Sequence, residues 1–289
     1  MRRHLAACLF ALSFVLGVTS KGLAGTDGFT TIDFPGATFN SAIGINSRGD
    51  IVGQYNTPGS VHGYLWREGK FASIDVPGAT FSLSRGITPR GNIVGQYVDP
   101  KTGQSFLHHG YLLSRGSFTT FDFPGARETF GFGINPRGDI VGLYTIGSVA
   151  HGFLLSNGTF ASIDFPGASS TLAWGINSAG DIVGQYTSAG VTHGFLFRRG
   201  SFTTIDFPGA SLTAALGNTS EGDIVGQYAI AGVTHGFLLS EGEFASIDFP
   251  GASVTITRGI NSEGDIVGQY TIAGVTHGFL LSGDKRDGE

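Results

Sequence analysis

The chain has 289 residues, of which 40% are hydrophobic and 13% charged, with a formal net charge of −5. Its 48 Gly and 10 Pro fall at recurring positions, which excludes a disordered or low-complexity tract. The single cysteine, Cys8, excludes a disulfide framework, and the lack of a Lys/Arg run excludes a surface that tracks phosphates.

In chain order, Met1 to His4 are basic, residues 5–18 apolar, and residues 19–25 small and polar. That sequence of characters predicts a secretory signal peptide over 1–24. Its apolar part is shorter than the roughly 20 residues of a membrane span, and no later stretch approaches that length. The exported chain is therefore expected to be secreted or extracytoplasmic, without membrane insertion. Removal of the leader takes Cys8 with it, so no thiol chemistry is expected.

From residue 28 to 283 the chain repeats one pattern six times, and the composition does not change along the way. Its Asp-x-Pro-Gly element recurs at Asp33, Asp75, Asp122, Asp164, Asp206 and Asp248, at intervals of 42 residues except for one of 47 after Asp75. A period of this size marks a modular array. Each unit holds four short runs with strand chemistry, which in the last unit fall near 256–261, 265–270 and 276–282, with 244–249 in the copy before. Asn-Ser-x-Gly-Asp, as at Asn261 to Asp265, predicts a tight hairpin between the first two runs, and Pro-Gly predicts a type II turn after the fourth.

Both faces of these strands are largely apolar, as in His193-Gly194-Phe195-Leu196-Phe197, so each sheet must be covered on both sides. No helical period occurs that could supply the cover. The predicted fold is all-β, a six-bladed β-propeller of four-stranded blades in one domain over 28–283, followed by a polar tail at 284–289. The chain starts with a lone fourth-type strand at 29–34 and ends on a third-type strand without its partner. The ring is therefore expected to close when the N-terminal strand completes the last blade.

These residues resemble the HAF repeats of extracellular bacterial proteins. The resemblance rests on Gly44-Ile45-Asn46, Gly133-Ile134-Asn135, Gly175-Ile176-Asn177 and Gly259-Ile260-Asn261, each followed by a Val-Gly stretch, and on His62, His109, His151, His193, His235 and His277. This chain has His-Gly-Phe or His-Gly-Tyr in place of His-Ala-Phe, and Thr88 and Thr219 where Asn is the family's residue. The resemblance implies an exported bacterial repeat protein and carries no settled activity.

Residues copied six times are best explained by folding. Copies in neighbouring blades are too far apart to share a metal or act as a carboxylate pair, so no cofactor and no metal site are expected. Within a unit, the His is expected to bond the Asp that follows the hairpin Gly, and the Asp of Asp-x-Pro-Gly to act as a turn acceptor. Information about function lies where the copies disagree.

The residue before the first-strand Gly reads Ile43, Arg85, Phe132, Trp174, Leu216 and Arg258. Near an axis, Arg85 and Arg258 facing Phe132 and Trp174 would suit an acidic sugar or another carboxylate, because Arg forks carboxylates and aromatic rings stack on sugar faces. The second unit also carries a longer loop with Asp99, Lys101 and His108, and the next connection holds Arg127 and Glu128. These loops are expected on the same face as the axial ring.

The predicted function is a secreted non-catalytic module, monomeric, whose partner is an extracellular glycan or surface protein rather than nucleic acid. One alternative is a lyase on acidic polysaccharide with His108 as base. The other is a purely structural surface or matrix element.

Overall fold

The computed structural model describes residues 28–99 and 107–283. The expected leader at 1–24 and tail at 284–289 lie outside them. The described residues form 24 strands and no helix. β1 (Phe29–Ile32) pairs antiparallel with β24 (Val275–Leu281), with Phe29 opposite Leu281 and Ile32 opposite Gly278. The first and last described strands thereby share one four-stranded sheet with β22 (Val254–Ile260) and β23 (Ile266–Ile272).

Each unit is a four-stranded antiparallel meander, and the turns that separate its strands follow from local chemistry. Asn46 to Asp50 make the first hairpin: Gly49 donates to the Asn46 carbonyl at 3.0 Å and adopts φ 76°. The Asn46 side-chain oxygen accepts the amides of Arg48 and Asp50. Thr88 and Thr219 do the same work with a hydroxyl, accepting the amides of Asn92 and Asp223. After the fourth strand, Ala37 donates to the Phe34 carbonyl at 3.1 Å across Pro35-Gly36, as in a type II turn.

The units do not all stand as separate sheets. β4 (Ser60–Arg67) meets β6 (Phe81–Ile87) in one parallel bridge at Val61 and Phe81, and β16 (Val191–Arg198) meets β18 (Leu212–Asn218) at Thr192 and Leu212. Each bridge merges two meanders into an eight-stranded sheet. The bridges join meanders that each keep four strands. Neighbouring units approach so closely beside their third strands that one residue pair reaches ladder geometry.

The innermost strands are β2 (Phe39–Ile45), β6, β10 (Glu128–Ile134), β14 (Ser170–Ile176), β18 and β22. Each packs beside the next, and β22 packs beside β2. Glycine makes that approach possible. A Cβ on Gly86 would stand 2.9 Å from the Phe132 carbonyl oxygen of the next unit, and one on Gly259 would stand 2.8 Å from that of Ile43.

The core lies between units. Val141 and Ile163 of one unit, for example, pack with Ala173, Ile182, Tyr186 and Phe195 of the following unit. The aromatic residue after His-Gly is the anchor: Tyr64, Tyr111, Phe153, Phe195, Phe237 and Phe279 are all fully buried. A second contact crosses the same seams further out. Phe165 stacks on Tyr186 at 3.6 Å, and Phe34 stacks on Tyr55 at 3.8 Å across the seam between the last sheet and the first unit.

Candidate ligand-binding site on the axis

The register of the first hairpin decides which side chains reach the axis. Between β2 and β3 (Ile51–Thr57), Ala42 faces Gly53 and Gly44 faces Val52, so Ile43 is left unpaired in a β-bulge. The same slip passes over Arg85, Phe132, Trp174, Leu216 and Arg258. A bulge re-aims the residue it leaves unpaired. All six residues line one cavity of about 110 Å³, together with the Gly and the final residue of each innermost strand.

The cavity's polar groups are few. Arg85 donates through Nε to Gln96 Oε1 at 3.0 Å, and Arg258 donates through Nε and Nη2 to Gln269 Oε1 at 3.3 and 3.2 Å. Trp174 Nε1 donates to Gln185 Oε1 at 3.2 Å. Phe132 has nothing to donate, and the residue equivalent to those glutamines in its unit is Leu143. Among the described residues, neither arginine has an ion-pair partner within 4 Å.

Both arginines are half-buried, enclosed by the channel yet reached by solvent. Burial, and then the like charge of Arg258, pulls the Arg85 guanidinium down to about 9. Burial pulls Arg258 down to about 10. Both stay cationic at neutral pH, so the cavity holds two positive charges without a countercharge from the protein.

Phe132 and Trp174 form the aromatic wall of the cavity. Their rings stack on one another at 4.2 Å with 10° between planes, and the Arg85 guanidinium lies 4.6 Å from the Phe132 centroid and 5.4 Å from that of Trp174. Arg85 thus lies against both aromatic residues. Cation–π contact and the bond to Gln96 hold it in place. Sequence reasoning missed Asn218, which also lines the cavity where the other units have Ile. Its signal was the same one, a single copy that differs.

The described ends of the second-unit loop lie away from this site. Glu128 is the first residue of β10, whereas Phe132 to Ile134, at the other end of that strand, line the cavity. Four residues at about 3.3 Å each separate Glu128 from Phe132 by roughly 13 Å. His108, the first residue of β8 (His108–Ser114), bonds Glu128 Oε1 through Nδ1 at 3.1 Å and stacks on Phe130 at 4.6 Å. Arg127 is exposed, Asp99 follows β7 (Ile93–Val98), and Lys101 lies outside the described residues. The shared face expected for loop and ring is corrected accordingly: the axial residue is the fifth of seven in its strand, in the half away from those loops.

No family model and no curated protein matches the sequence. Solved structures match over most of the chain. The streptogramin B lyase structure shares 14% identity, covering 88% of this chain and 98% of that one, with a TM-score of 0.51. TolB from Acinetobacter baumannii shares 14% identity, covering 86% and 64%, with a TM-score of 0.55. The β-propeller domain of the Trilobed protease from Pyrococcus furiosus shares 10% identity, covering 86% and 100%, with a TM-score of 0.53. The fold is a β-propeller. At these identities the likeness concerns architecture alone.

In the propeller, the repeated His and Asp serve the scaffold with partners other than those expected. His151 Nδ1 bonds Asp164 of Asp-x-Pro-Gly at 3.1 Å, and the same pairing joins His62 to Asp75, His109 to Asp122, His193 to Asp206 and His235 to Asp248. His277 bonds Asp33 across the junction of the chain ends at 2.6 Å. The hairpin Asp lies at the other end of the third strand, where Asp50 takes Arg67 and Asp139 takes Ser156. Nor is the Asp-x-Pro-Gly carboxylate the acceptor for the turn that follows. The amide after it goes to a side chain six residues on, as Phe165 does to Thr171 and Phe34 to Asn40.

Proposed function

We propose that this protein is a secreted, six-bladed propeller of the HAF-repeat type that binds the carboxylate of an extracellular glycan or surface component at its axis. The blade count is supported by 24 strands in six meanders, and closure by the N-terminal strand is supported by the β1–β24 ladder and the packing of β22 beside β2. Export is read from the leader-like residues 1–24, and no helix among the described residues is long and apolar enough to cross a membrane. One observation carries the binding reading. Arg85 and Arg258 stand in one cavity with no acidic partner among the described residues.

A pair of enclosed cations is costly unless an anion joins it. A carboxylate is the anion whose geometry suits a guanidinium fork. The lyase alternative would need a base beside this pair, and His108 is bonded to Glu128 at the other end of the innermost strand. The remaining lining residues are aliphatic, aromatic, Gly and Asn218.

Titration calorimetry with uronic-acid oligosaccharides tests the proposal. Wild-type protein should bind, and Arg85→Ala or Arg258→Ala should weaken binding about 10-fold or more, the usual consequence of losing a charge-assisted hydrogen bond. Equal binding by both variants would remove the axis as the site.

A further inference from the structure

We infer that the axial cavity is a small-carboxylate site, in which Arg85 and Arg258 jointly take one compact monoanion whose occupancy braces the seam between the last and first units. This rests on the axial reading above and narrows it. The size of the cavity sets the first limit. At about 110 Å³ it is well below the roughly 300–1,000 Å³ of pockets that enclose drug-sized ligands. A polymer cannot lie in it; a single carboxylate group with a few attached atoms can.

The hydrogen-bond inventory sets the second limit. Arg85 gives Nε to Gln96, and its π face lies against Phe132 and Trp174. Its two terminal nitrogens have no acceptor among the described residues. Arg258 gives Nε and Nη2 to Gln269, which leaves Nη1. Three donor nitrogens therefore remain, in a cavity whose other walls are mostly Ile, Leu and Gly. A guanidinium edge and one further N–H match the two oxygens of a carboxylate. A dianion such as sulfate would leave oxygens against apolar walls.

The link to the seam runs through Gln269. Its Oε1 accepts from Arg258 and also from Ser41 Oγ of the first unit, at 2.8 Å. Gly259, next to Arg258, packs against the Ile43 carbonyl of that unit. The like charge of Arg258 is felt at Arg85 in the same cavity, and an anion between them offsets that repulsion. Anything that binds only the folded state raises its melting temperature.

The test uses the full mature chain and sodium acetate, with ionic strength held constant by the bulky sulfonate HEPES. Saturating acetate should raise Tm by about 5 °C, with a calorimetric stoichiometry of one. Arg85→Gln/Arg258→Gln should lose the rise, and Arg85→Lys alone, which keeps the charge but not the fork, should reduce it. If the double variant does not fold, the Lys variant and the wild-type stoichiometry decide the matter.

An acetate effect no larger than that of HEPES would overturn the inference, as would an undiminished effect in the variants. A sulfate or chloride effect equal to that of acetate would overturn the carboxylate assignment. Arg-dependent binding of uronic-acid oligosaccharides without an acetate effect would overturn this inference and leave the proposed function standing. An acetate effect without oligosaccharide binding would support the inference and remove the glycan.

Discussion

At the scale of single residues, position along a strand outweighs nearness in sequence. Asp50 precedes His62 by 12 residues and Asp75 follows it by 13, so spacing alone does not choose between them. The ladder chooses, because His62 is near the start of β4 and Asp50 bonds Arg67 at its end. Asp50 is nearly buried, and burial by itself would raise its carboxyl. Hydrogen bonds from Arg67, Asn46 and Arg48 outweigh that effect and bring it from 3.8 to about 2. The same balance lowers Asp139. Because the folded-state value is depressed, the stabilisation is fully present above pH 3.8 and is lost as pH falls through about 2. Asp50→Asn should cost about 1 kcal/mol at pH 7, a modest figure because Arg48 and Arg67 are half-exposed. Urea unfolding should show the gap between variant and wild type closing between pH 4 and 2. A gap independent of pH would contradict this assignment.

At the scale of elements, the first hairpin carries the site. Strands, turns and the identity of the axial residues were readable from alternation and from Gly and Pro positions. The bulge was not, because an extra residue leaves no mark in a pattern that every unit shares. The same hairpin depends on a close approach: a Cβ on Gly142 would run into the Phe130 carbonyl oxygen and stand 2.8 Å from Phe153. Neither can retreat, since one is backbone and the other a fully buried ring. Gly142→Ala should therefore cost about 3 kcal/mol. Gly138→Ala, at φ 90° in open space, should cost about 1 kcal/mol for its backbone alone. Chemical denaturation of the two variants compares a packing clash with a conformational one, and equal losses would mean the hairpin relaxes around the added methyl.

At the scale of the whole molecule, the seam between the chain ends is the distinctive feature. It is held by the β1–β24 ladder, the His277–Asp33 bond, the Phe34–Tyr55 stack and the bond from Asn261 to the Asn46 carbonyl. Deleting residues 28–34 would leave β24 as an open edge and uncover Ala42 and Tyr55 beside it. The shortened chain should melt at least 10 °C lower, since Ile32 alone is a core side chain whose loss costs about 2–5 kcal/mol. It should also associate, as seen by light scattering. An unchanged melting temperature would show that the seam does not need β1.

By itself the sequence determined the repeat, the strand chemistry, the turns and the six residues that differ near the axis, because each of these is a local preference or a deviation from a copied pattern. Only the tertiary structure decided that a bulge turns those six residues into one small cavity, that Arg85 lies on the aromatic pair, and that His108 and Glu128 meet at the opposite end of the strand. These depend on register and on contacts between units 42 or more residues apart, where the free energy comes from packing and charge that no single copy of the repeat contains.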